Sequence, residues 1–82
     1  MTNEFIAQCL RDAANFALYL AGQPEQNALI AVHQTRERMA TELAEEFGTD
    51  AARLIAEAFA ATVIRCKAGI EEASTQVKET VQ

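Results

Sequence analysis

The chain has 82 residues and a net charge of −5, which makes it one domain near the small end of what folds alone, burying only about 60–65% of its unfolded surface. Half of the residues are hydrophobic, many of them alanine, with three glycines and one proline. This composition selects helix, and the β-branched and aromatic clusters bounded by turn signals that a sheet needs are missing. Seven basic residues scattered among twelve acidic ones are the wrong footprint for nucleic-acid phosphates, and no apolar run approaches the ~18–20 residues of a membrane span.

The first predicted helix covers about 3–21. Thr2 or Asn3 can cap it, Glu4 complements its dipole, and apolar residues follow at Phe5, Ile6, Cys9, Leu10, Ala13, Phe16, Ala17 and Leu20. Gly22 suits the left-handed position that stops a helix, and Pro24 suits the first turn of the next one. The second predicted helix covers about 24–47, with a stripe at Leu29, Val32, Met39, Leu43 and Phe47 that Arg36 interrupts. Such a charge either snorkels out along its stem or pairs across an interface and fixes register there. Gly48 ends this helix by the same device as Gly22.

Thr49 or Asp50 can cap the third helix, about 50–80, after almost no linker. Its main stripe is Ile55, Phe59, Val63, Cys66, Ile70, Ala73, Val77 and Val81. A second stripe, Leu54, Ala58, Ala61, Ile64 and Ala68, flanks the first half only, so that half is expected to touch two neighbours. Beyond Gly69 the second stripe disappears and Glu71, Glu72, Gln76, Lys78 and Glu79 surround what remains.

Connections this short make consecutive helices antiparallel. The expected fold is all-α, a three-helix up-down-up bundle. At ~1.5 Å per residue the rods measure roughly 28, 36 and 46 Å, so the third outruns the others by about three turns. The apolar residues on that overhang, Ile70, Ala73, Val77 and Val81, are the expected dimer interface, together with Arg36.

Residues of catalytic type do not converge. His33 is the single histidine, with only Glu37 near enough on its helix to pair with it. Cys9 and Cys66 sit on apolar stripes, without the further ligands a zinc site needs, and read as small hydrophobes. No nucleophile motif, phosphate-cradling loop or cofactor motif is present. Thr62 can satisfy its hydroxyl on the carbonyl one turn back. Glu42, Glu45 and Glu46 crowd the end of the second helix with Asp50 across the corner. The three glutamates oppose the helix dipole there, and together with Asp50 they form a candidate contact for a basic partner.

Ala44, Gly48 and Leu54 resemble the small residue, turn glycine and buried apolar residue of a helix-turn-helix, which implies a DNA-binding regulator. Thr49, where that motif wants an apolar residue, and Glu57, at a later buried position, depart from the pattern. The preferred expectation is a non-enzymatic cytoplasmic protein, without a secretory signal, that binds and modulates or inhibits another protein, as a homodimer. Short acidic alanine-rich chains are common among inhibitors encoded by phages and plasmids, an association and not a derivation. The remaining alternative is a structural oligomer or an accessory subunit of an enzyme.

Overall fold

The computed structural model describes residues 2–81, with side chains described through 77. Among the described residues it is all-helical: α1 is Asn3–Leu20, α2 is Glu25–Phe47 and α3 is Thr49–Val81, and there is no strand. The long dimension is 52 Å against 28 and 14 Å for the other two. A single helix of 33 residues accounts for that length at ~1.5 Å per residue.

The helix ends follow from local chemistry. The Thr2 hydroxyl accepts the Phe5 amide at 3.1 Å, which satisfies one of the orphan N–H groups of the first turn. At the other end of α1 the Ala21 amide donates to the Ala17 carbonyl at 2.9 Å and the Gln23 amide to the Leu20 carbonyl at 3.0 Å. The Gln23 side-chain amide donates to the Tyr19 carbonyl at 2.9 Å, so this corner leaves few acceptors open. Gly22 and Gly48 both have positive φ, 85° and 89°, a region that side chains rarely adopt.

Two boundaries differ from expectation. Pro24 stands outside α2 and serves as its cap, its carbonyl accepting the Ala28 amide at 3.1 Å. Neither Thr49 nor Asp50 caps α3. The Gly48 carbonyl accepts the Ala52 amide at 3.0 Å, so one glycine closes α2 and opens α3, and Asp50 lies in the first turn, where its charge suits the dipole.

α1 and α2 both pack extensively on α3 and touch each other sparingly. Where they do meet, the Phe5 and Phe47 rings lie 5.4 Å apart, tilted by 56°, a geometry aromatic pairs favour. The joined core consists of Ala13, Ala17 and Leu20 from α1, Ala28 and Val32 from α2, and Ala60 and Val63 from α3. Ala52 and Ala56 are buried as well. Alanines at 52, 56 and 60 form a smooth ridge along α3, and Ala56 shares a furrow with Ala40 and Ala44 of α2. Small residues facing small residues let backbones approach closely, at little gain of buried area per residue.

The second stripe of α3 is therefore not where α2 sits. Leu54 is 68% exposed and Ile64 46%, and Ala58, Ala61 and Ala68 are exposed too. The front half of α3 does have two neighbours, but α2 takes the alanine ridge and leaves the larger residues outside.

Candidate functional site

An apolar concavity lies between the front halves of α1 and α3. Phe5, Ile6, Cys9, Leu10 and Ala13 form one wall, and Leu54, Ile55, Ala58, Phe59 and Thr62 the other, around a space of about 290 Å³. The register follows from the two helix periods: steps of three and four bring Ile6, Cys9, Leu10 and Ala13 to one side of α1, and Leu54, Ala58 and Thr62 to the facing side of α3. Ile6 and Leu10 remain 45% and 56% exposed, so the groove is open along its rim. Thr62, the one polar residue in it, donates its hydroxyl hydrogen to the Ala58 carbonyl at 2.8 Å, so that donor is already used within its own helix.

Cys9 lines this groove. Burial, aided by the Asp12 carboxylate, pushes its thiol above the ordinary range, so at neutral pH it is a protonated small hydrophobe and a poor nucleophile. Cys66 is half-buried and packs against the core, and both cysteines are free. Among the described residues no group of three or more His, Cys, Asp or Glu side chains gathers around a point where a metal could sit.

The end of α1 is held to α3 by a carboxylate. Glu71 Oε2 accepts Lys67 Nζ at 2.8 Å and the Gly22 amide at 3.3 Å. Lys67 is only 13% exposed, so its ammonium depends on this partner. The Lys67 hydrogen bond, then the Gly22 amide, hold the Glu71 carboxyl below the usual carboxylate range. The folded-state pKa lies under the unfolded one, so this contribution is complete above the unfolded value and is lost as pH falls through the folded value. Stability is expected to drop as pH is lowered below about 4, and to drop less steeply in Glu71→Gln. Acid unfolding followed by circular dichroism checks this; identical pH profiles for the two proteins would remove the clamp from the account.

The overhang begins just beyond this clamp. Ile70 is half-buried and packs on the core, so it belongs to the fold. Ala73 is exposed and Val77 is 62% exposed; the Val81 side chain lies outside the described residues. The other residue assigned to that interface, Arg36, lies away from it, in a furrow with Arg53 and Glu57 at the front of α3. Its side chain is 39% exposed and reaches along its own helix, Nη2 meeting His33 Nδ1 at 2.7 Å and Glu37 Oε1 at 3.7 Å. His33 is thus partnered by Arg36 and not by Glu37, because the guanidinium fits between the two acceptors. Since the guanidinium only donates, Nδ1 accepts and the ring proton sits on Nε2.

Glu42, Glu45, Glu46 and Asp50 are all exposed. The buried anchor of the helix-turn-helix resemblance is not in place: Leu54, which should be that anchor, is the most exposed leucine of the chain at 68%, and α2 packs extensively on α3. No helix among the described residues is long and apolar enough to cross a membrane. Sequence reasoning named Leu54 and Leu10 only as members of apolar stripes; that they would form a groove depended on which stripe α2 covers. Comparison with protein-family models, with curated proteins and with solved structures yields no match to this chain.

Proposed function

We propose that this chain is a small non-enzymatic helical protein that works by occupying a surface of another protein, modulating or inhibiting it, and that it does so as a homodimer built from up-down-up three-helix units. The observation that carries this reading is the amount and kind of surface left uncovered. A monomer of 9.0 kDa typically exposes about 4,850 Å², whereas this chain exposes 5981 Å², a surplus of about 1,100 Å² against the ~800 Å² that each partner buries in a standard interface. Part of the exposed apolar surface is the groove, where Ile6, Leu10 and Leu54 are 45–68% exposed, and the overhang adds Val77 at 62%. Among the described residues the large apolar side chains that are buried are Leu20, Val32 and Val63, at 0–6% exposure, so more large apolar residues face outward than inward.

Dimerisation would use the apolar surface and leave the acidic corner for the target. Glu42, Glu45 and Glu46 lie exposed at the end of α2 beside Asp50, held there against the helix dipole at a local cost of tenths of a kcal/mol. A basic surface on the target would offset that cost. Changing the three glutamates to Gln is expected to leave the fold intact or slightly steadier, while weakening target association and flattening its salt dependence. Immobilised parent and variant, exposed to the same bacterial lysate at about 50 and 150 mM salt, provide the test. A protein held by the parent and released from the variant supports the patch; equal retention at both salt concentrations overturns it.

A further inference from the structure

We propose that the groove between α1 and α3 binds a free medium-chain fatty acid, its hydrocarbon along the groove and its carboxylate at Arg65. This goes beyond the homodimer reading and does not depend on it: Val77, which that reading uses, lies 15 residues past Thr62 on the same helix, about 22 Å away.

Size selects the chain. The α3 wall runs from Leu54 to Thr62, about 12 Å of helix. An extended alkyl chain advances about 1.3 Å per carbon, the projection of a ~1.5 Å single bond along its zigzag, so about ten carbons fill that length. Volume agrees. An apolar cavity of about 150 Å³ takes a six-carbon ring, and the groove offers about 290 Å³, room for roughly ten to twelve carbons. With the Thr62 donor already used within its own helix, the groove suits hydrocarbon and penalises a polar group placed inside it.

Charge selects the head group and its direction. Arg65 falls within about 20° of both Leu54 and Ala58 around α3, on the line that borders the groove, and it stands one turn beyond Thr62. Helical side chains lean back toward the N-terminus of their helix, which carries the Arg65 guanidinium toward that end of the groove. Arg65 is exposed and, among the described residues, has no ion-pair partner. Asp50, also exposed, stands one turn before Leu54 at the other end, where its charge repels a carboxylate. Asp12, whose charge reaches Cys9, lies about 160° around α1 from the rim residue Leu10 and accepts Gln8 Nε2 at 2.8 Å, so it turns away from the head group. This polarity admits one orientation, with the methyl end toward Leu54 and the carboxylate toward Arg65.

Isothermal titration of the parent with decanoate, beside octanoate, tetradecanoate and decanol, tests the site. Affinity is expected to rise about fourfold per methylene from octanoate to decanoate, as for a buried CH₂, and to level off toward tetradecanoate as the chain outruns the groove. Arg65→Gln should weaken decanoate about fivefold and leave decanol unchanged. Leu54→Glu, at a position 68% exposed and therefore compatible with folding, should weaken decanoate at least about tenfold. Ile30→Glu, 50% exposed on α2, should not. A parent that binds no decanoate, an affinity that climbs at the same rate to tetradecanoate, equal changes for decanoate and decanol in Arg65→Gln, or undiminished binding in Leu54→Glu overturns the proposal, whatever the mass of the parent in solution.

Discussion

Replacing Leu20 with Ala is expected to destabilise the protein by about 2–5 kcal/mol. Leu20 is wholly buried and one of the two largest side chains that are. It closes α1 at the corner with α2 and belongs to the same cluster as Ala17, Ala28 and Val63. Its neighbours there are mostly alanines, which cannot swing into a vacancy. A chain of 82 residues has a total stability of only about 4–12 kcal/mol, so the variant should sit at the edge of unfolding at room temperature. Leu18→Ala, two residues earlier and 60% exposed, is the matched control and should shift stability by less than about 0.5 kcal/mol. Urea titration at equal protein concentration separates them through the midpoint at constant slope. Equal losses for the two leucines would mean that the core has been placed on the wrong face of α1.

The second large effect is on assembly and falls on Val77. Val77→Glu puts a carboxylate on each copy's overhang, where the parent offers an apolar side chain. The dimer dissociation constant should rise at least ~100-fold, about 2.7 kcal/mol, with helix content in the shorter parts of the fold unchanged. Ile70→Glu must be read separately. Ile70 packs against the core of its own chain, so a charge there attacks folding and assembly together, and its failure would say nothing about the interface. A Val77→Glu protein that associates as tightly as the parent would remove the overhang from the contact.

The start of α1 and the two glycine stops were legible because they rest on local chemistry, the Thr2 hydroxyl and two glycines with positive φ acting within four residues of where they stand; the starts of α2 and α3 were not, since Pro24 caps α2 from outside and Gly48 opens α3 in place of Thr49 or Asp50. The overhang was legible as well, since lengths at fixed rise per residue can be compared before any packing is known. What could not be read was which face of α3 meets α2. Apolar periodicity weights residues by size, and by that measure Leu54 and Ile64 should be inside. The actual contact is selected by smallness: Ala52, Ala56 and Ala60 are buried because alanine allows two helices to close in, and the leucine and isoleucine beside them are left out. The same inversion occurs on α2, where Ala28 is buried at 3% and its neighbour Leu29 is 50% exposed. In a chain whose core is mostly alanine, a periodic stripe of large residues marks a face that seeks a partner as readily as it marks the core. The groove was hidden for this reason, and the Arg36–His33 pair was hidden by a similar ambiguity, since positions 36 and 37 both lie within one turn of His33.

The central claim, that this chain completes itself with a second copy, is tested most directly by its mass in solution. Light scattering of the parent at micromolar concentration is predicted to give about 18 kDa, twice the 9.0 kDa of one chain, as expected for a two-fold pair. The mass should fall toward 9.0 kDa for Val77→Glu under the same conditions. A parent that scatters as a 9.0 kDa monomer while remaining helical through α3 would contradict the account.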